Sequence, residues 1–200
     1  SGGTLSGVIT GDVVTIIDGT GAFADKIVGT AKLITATGYD ISGIDAGNYT
    51  LSVQPTGLTA NITSAPVEIT GVTASNKVYN ADAIATLSGG TVSGVITGDV
   101  VTITDGTGAF ADKNVETAKA VTATGYAING ADAGNYRLSV QPLVPSANIT
   151  AATLDITGVT ASNKVYDSTI AATINSGSLS GVLGSDVVTL MAGSASFADK

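Results

Sequence analysis

Ten residues, SGVITGDVVT, stand at positions 6 to 15 and again, letter for letter, at 93 to 102, and a looser copy, SGVLGSDVVT, occupies 180 to 189. The spacing of 87 between the first two holds well beyond these ten residues. Residues 1 to 26 match 88 to 113 with two differences, Leu5 for Val92 and Ile17 for Thr104. Further on, TGYDISGIDAGNYTLSVQP (37 to 55) pairs with TGYAINGADAGNYRLSVQP (124 to 142), and ITGVTASNKVY occurs at 69 to 79 and at 156 to 166. Self-similarity at a fixed period constrains a fold more than any local motif, and a period of 87 is the size of a small domain rather than of one solenoid turn. The chain therefore reads as tandem units: 1–64, lacking the counterpart of 65–87; 65–151, complete; and 152–200, lacking the counterpart of 114–151. With no Met at its start and no visible leader, it reads as an interior piece of something longer.

Within a unit the apolar period is two. Tyr136, Leu138 and Val140 alternate with Asn135, Arg137 and Ser139, and Val121 and Ala123 alternate with Thr122 and Thr124, the pattern of half-buried strands. Short β-branched runs separated by Gly, Asp and Asn at intervals of roughly 8 to 12 residues predict an all-β module, seven or eight strands per unit, in a small antiparallel immunoglobulin-like β-sandwich. The alternative is a β-grasp-like, mostly-β repeat. No window keeps a helical apolar spacing. Only 4% of the residues are aromatic, so the cores must be thin and built from Val, Ile, Leu and Ala.

The chain has no His and no Cys, which removes the commonest general base, the commonest metal ligand and any disulfide. Ser and Thr abound, but without His or Cys no nucleophile has an obvious base, and Gly-Thr-Gly at 19–21 and 106–108 is not followed by Gly-Lys-Ser/Thr. An enzyme is not expected. The net charge of −8 argues against nucleic acid or an anionic membrane surface as partner. Despite a mean hydropathy of +0.39, every apolar run is broken by Gly, Thr, Asp or Ser, so membrane insertion is not expected.

Four sets of residues invite a specific role. DAGNYTL (45–51) and DAGNYRL (132–138) resemble a tyrosine corner, with Asp45 and Tyr49, and Asp132 and Tyr136, as the candidate residues: a buried ring whose hydroxyl bonds back to upstream backbone. Asp18, Asp25, Asp105 and Asp112 cluster around Asp-Gly and could bind calcium through carboxylates, but the spacing of a calcium loop is not met and an Asp-Gly hairpin turn is the stronger reading. No cofactor is expected. Lys77 and Lys164, with Asn61 and Asn148, have the residue types of a Lys–Asn isopeptide crosslink, which would need a buried acid, and Glu68 and Glu116 are the only glutamates. Asn48, Asn61 and Asn148 also sit in Asn-x-Thr triplets, an accident of Thr-rich composition.

ITGVTASNKVY followed by Asp167, together with GDVVT, FADK and the DAGNY segment, resembles the YDG-type repeats, and the related MBG-type repeats, of large secreted bacterial adhesins of the filamentous-haemagglutinin kind. The resemblance covers the whole chain. It implies an extracellular or cell-surface location and a structural role as stalk, spacer or fibre, with neighbouring repeats and other copies of the chain as partners. The name-giving triplet is imperfect: Tyr166-Asp167 is followed by Ser168, and the complete unit has Tyr79-Asn80-Ala81, which reads as a turn. Two other roles stay open, a carbohydrate- or surface-binding module acting by avidity, and a filament subunit that donates a strand from one chain to the next.

Overall fold

The computed structural model describes residues 3–199. It is all-β. Besides strands, the regular elements among the described residues are two single 3-10 turns, Ala46–Asn48 and Ala133–Asn135, one in each DAGNY motif. The complete repeat holds eleven short strands between Ala65 and Thr150, more than the seven or eight expected from turn spacing. Bulges and bends cause the excess. The segment that forms one strand in the first copy, Gly29–Thr37, is broken in the second into Glu116–Lys119 and Val121–Thr124.

The contacts divide the chain into two compact units, and neither coincides with a sequence repeat. One comprises Ser1–Val67, Gly94–Thr102 and Ile128–Ser139; the other comprises Glu68–Ser93, Ile103–Ala127 and Val140–Lys200. Each therefore combines the residues of two neighbouring repeats.

In the first unit Gly29–Thr37 is the centre of a three-stranded antiparallel sheet, flanked by Thr20–Phe23 and Leu58–Ile62. Thr15–Ile17 pairs with Asp40–Ser42. Residues Ala65 to Val67 run parallel to Tyr136–Leu138, in the register Ala65 to Tyr136 and Val67 to Leu138. The alternation expected to continue to Val140 stops here, because the Ser139 amide makes a last bond to the Val67 carbonyl; beyond it Val140 is exposed.

The second unit carries the main core: Ala85, Phe110, Val121, Ala147 and Ile149, with Tyr79, Leu87 and Val144 against them. Thr107–Phe110 lies between Val121–Thr124 and Ile84–Ala85. Glu116–Lys119 pairs antiparallel with Ala147–Thr150, which runs parallel to Lys77–Val78. Residues Glu68 to Ala74 pair antiparallel with Leu87–Ser93. In the third copy Asp155–Thr157 pairs with Ser178–Ser180, and Ala171–Ala172 with Ala195–Ser196. Pairing is thus mostly antiparallel. The two parallel ladders, unlike the antiparallel ones, need long connections and cannot be read from turn spacing.

The Asp-Gly pairs do not close hairpins. Thr15–Ile17, before Asp18-Gly19, pairs with Asp40–Ser42, whereas Thr20–Phe23, after it, joins another sheet. The chain changes sheets at this point. Glycine is required by space rather than by backbone angle: a Cβ on Gly19 would lie 2.2 Å from the Thr37 carbonyl oxygen, and one on Gly106 would lie 2.1 Å from that of Thr124.

Candidate functional site

The repeated GDVVT and DAGNY motifs meet in space. In the first copy the Tyr49 hydroxyl donates to Asp12 Oδ2 at 2.5 Å and accepts the Ile9 amide at 3.0 Å, while Asp45 Oδ2 accepts the Val13 amide at 2.8 Å. The second copy repeats this with Tyr136 on Asp99 at 2.7 Å, the Ile96 amide at 3.0 Å, and Asp132 on the Val100 amide at 2.7 Å. All four residues singled out for a tyrosine corner are thus engaged. The backbone partner of each hydroxyl, however, is 40 residues upstream, at Ile9 or Ile96 just ahead of GDVVT, rather than within the corner itself. Across each 3-10 turn the Asp and the Tyr together hold three residues of the upstream loop, Ile9, Asp12 and Val13 in the first copy and Ile96, Asp99 and Val100 in the second. Burial and the bond to Asp99 push the Tyr136 phenol above its ordinary range; at Tyr49 the bond to Asp12 is the leading cause.

A lysine from the preceding repeat completes the cluster. Lys26 Nζ reaches Asp99 Oδ1 at 2.9 Å, and 87 residues on, Lys113 Nζ reaches Asp186 Oδ1 at 2.7 Å. Both lysines end a FADK segment and both acids sit in the next copy's Asp-Val-Val-Thr. Beside the first of these pairs, the Val28 amide donates to Asn135 Oδ1 at 3.0 Å. Asp99 is therefore held by Tyr136 and Lys26, and both lower its pKa; Asp186 is held by Lys113 and by the Tyr79 hydroxyl, with the same result. Lys26 and Lys113 are correspondingly raised. Lys113 also lies 5.7 Å from the centre of the Tyr79 ring, within reach of its π face. Nothing in the sequence by itself pairs Lys26 with Asp99: the offset of 87 shows that both recur, not that they touch.

The other candidates have structural occupations. Asn61 and Asn148 accept, through Oδ1, the amides of Ala31 at 2.9 Å and Ala118 at 2.8 Å. Those alanines are bulge residues at φ 49° and 51°, where the ladder shifts register and leaves an amide unpaired. A side-chain amide fills the gap. Lys77 is turned to Asp82 Oδ1 at 2.7 Å and lies 5.5 Å from the Phe110 ring centre, and Lys164 is turned to Asp167 Oδ1 at 2.8 Å. The acid changes place between copies, Asn80 and Asp82 in one, Asp167 and Thr169 in the other, yet each lysine keeps a carboxylate. Neither lysine bonds to an asparagine, so the isopeptide reading is set aside. Lys164 and the Thr169 amide and hydroxyl draw Asp167 down to about 2.

Asp112 and Glu116 both face Lys119, which is buried, at 2.7 and 2.9 Å; Asp25 faces Lys32 in the first copy. Among the described residues no three acidic side chains gather as a metal site would need. Gln54 and Gln141, in the Gln-Pro pairs, bond both backbone groups of Tyr39 and Tyr126 with their side-chain amides, at 2.8 to 3.0 Å. Among the described residues, no helix is long and apolar enough to cross a membrane.

The third residue of the Tyr-Asp-Gly-like triplet has a left-handed backbone in both copies, Ala81 at φ 68° and Ser168 at φ 65°. That is the conformation glycine adopts without cost. The YDG domain model matches residues 1–57, 63–143 and 150–200. The chain belongs to the YDG domain family. In YDG terms Ala81 and Ser168 stand where the family's glycine would be, and the adjoining Asn80 and Asp167 feed the Lys77 and Lys164 networks. No curated protein and no solved structure matches the chain.

Proposed function

We propose that this chain is a structural segment, a stalk, spacer or fibre, of an extracellular bacterial adhesin or matrix protein, and that it performs no chemistry of its own. The observation that carries this reading is the recurrence of one junction: Lys26 to Asp99 and Lys113 to Asp186 join successive copies through the same pair of residue types at the same offset of 73. A contact that is copied along with the repeat suits a part whose output grows with repeat number. A surface ion pair is weak alone, but here it sits beside a tyrosine bond in both cases and an amide bond in one. The partners on this reading are neighbouring repeats of the same polypeptide. The lack of His and Cys, and the engagement of Asp25 and Asp112 by lysines and backbone amides, fit a part without catalysis or bound cofactor.

The test is small-angle scattering on a series of chains with increasing numbers of the 65–151 repeat. The expected result is a maximum dimension that grows by a constant increment per repeat, with Lys→Ala at every FADK shortening the average. A dimension that levels off with repeat number would remove the spacer reading.

A further inference from the structure

A cavity of about 240 Å³ opens beside the second Asp-Gly pair, lined by Ile84, Leu87, Ser88, Asp105, Thr107 and Tyr126. Every residue around it belongs to the complete repeat, 65–151. It sits at the head of strand Thr107–Phe110, which has Ile84–Ala85 on one side and Val121–Thr124 on the other. Two glycines shape it. A Cβ on Gly106 would lie 2.6 Å from the Tyr126 ring, and one on Gly108 would lie 2.6 Å from the Leu87 side chain. With no Cβ at either place, both side chains lie directly against the backbone.

The polar groups of this cavity are unspent. Tyr126 is 5% exposed, and its hydroxyl has no hydrogen-bond partner among the described residues. No side-chain polar atom among those residues is sealed from solvent without a partner, so the hydroxyl meets solvent, and the cavity is the opening that Tyr126 lines. Asp105 is exposed and takes no hydrogen bond or ion pair among the described residues, whereas Asp99 and Asp112 of the same copy are each held by a lysine. Ser88 shares its hydroxyl with Thr73 at 3.1 Å, and Thr107 shares its own with Thr124 at 3.4 Å. A hydroxyl offers one donor and two acceptor positions, so each keeps capacity for a further bond.

A free carboxylate, three hydroxyls that both donate and accept, and the apolar Ile84 and Leu87 beside them suit a ring with hydroxyls on its rim and C–H groups on its faces. A cation would use only the carboxylate, which holds it weakly when exposed. The volume lies below the roughly 300 Å³ at which drug-sized pockets begin, which limits the occupant to about one ring. The net charge of −8 disfavours an acidic one. We propose that this cavity binds a single neutral sugar ring, with Asp105 accepting from its hydroxyls and the Tyr126 hydroxyl bonding another. In the third copy Ala192 stands at the place of Asp105, so this site is not copied with every repeat. The site goes beyond the spacer reading and is independent of it, since it lies within one repeat rather than at a joint between two.

The test is a titration of the full chain, read by amide shifts in NMR, with glucose, galactose, mannose and N-acetylglucosamine in turn, and with n-butylammonium as a cationic probe. The expected result is saturable shifts for at least one sugar, centred on residues 84–89, 105–108 and 126, with a dissociation constant of about 1–20 mM. Asp105→Ala, at an exposed position without an internal bond, should keep the native circular dichroism and weaken that sugar at least about tenfold. Tyr126→Phe, which keeps the ring, should weaken it less. The proposal is overturned if none of the four sugars gives saturable shifts up to about 100 mM, if the shifts lie away from the cavity, or if Asp105→Ala binds as well as the parent chain. It is equally overturned if n-butylammonium binds there more tightly than every sugar, which would make the cavity a cation site.

Discussion

Phe23 and Phe110 sit in the same eight residues, DGTGAFAD, yet Phe23 is 39% exposed and Phe110 is 3% exposed. The backbone around them is nearly the same: Thr20–Phe23 and Thr107–Phe110 each pair antiparallel with the following strand in matching register. What differs is the other edge. Thr107–Phe110 is also paired with Ile84–Ala85, and the Phe110 amide bonds the Ala83 carbonyl at 2.8 Å. Thr20–Phe23 is, among the described residues, the edge strand of its sheet, paired on one side only. Identical local sequence thus makes an identical strand, and a core only where a distant segment covers it.

The comparison can be broken by truncating both phenylalanines. Phe110→Ala should cost about 3–5 kcal/mol, the usual range for a buried aromatic, and Phe23→Ala about 1 kcal/mol or less because water already reaches the ring. Equal losses in urea unfolding would show that the two sites are packed alike. The second and third copies offer the same contrast: Ile69→Ala should cost about 2–4 kcal/mol, and Ile156→Ala under about 1 kcal/mol.

Smaller effects sharpen the picture at the junction. Tyr136→Phe removes a hydroxyl that both donates to Asp99 and accepts the Ile96 amide. It should lower the melting temperature more than Tyr49→Phe, whose Asp12 has no lysine partner among the described residues. Asp99 and Asp186 have pKa values below the ordinary carboxylate value of about 3.9. The unfolded chain therefore binds protons that the folded chain does not, and the stability these acids contribute is present above about pH 4 and is lost as the pH falls through their lowered values. Asp99→Asn and Asp186→Asn should flatten acid unfolding below pH 4, with little effect of the pair on its steepness near neutrality. Least of all, Ala81→Gly and Ser168→Gly should stabilise by roughly 0.5–1 kcal/mol by relieving a left-handed backbone; a loss at either position would mean that the side chain there contributes packing that outweighs the strain.

Much of this was legible beforehand, for identifiable reasons. Alternation at Val121 and Ala123 against Thr122 and Thr124 marks a one-sided strand, and all four residues are in one with the apolar pair buried. The DAGNY motif announced a tyrosine with a structural duty, because Asp, Gly and Asn before a Tyr suit a tight turn that points it inward. The Asp-Gly pairs misled, since the same dipeptide serves a hairpin and a change of sheet, and only the carbonyl that crowds Gly19 and Gly106 distinguishes them. The asparagines at 61 and 148 suggest crosslink partners or chance Asn-x-Thr triplets in the sequence, whereas their duty is to an amide left over by a bulge in another strand. That information is 30 residues away.

By itself the sequence determined the period, the all-β character and the turn at each Tyr-Asp-Gly-like triplet, because these follow from short-range side-chain alternation and from the backbone freedom of single residues. Which copy owns a buried core and which lysine meets which acid were decided by tertiary structure alone. Burial and ion pairing depend on segments dozens of residues apart, and two copies with the same letters differ in both when their neighbours differ.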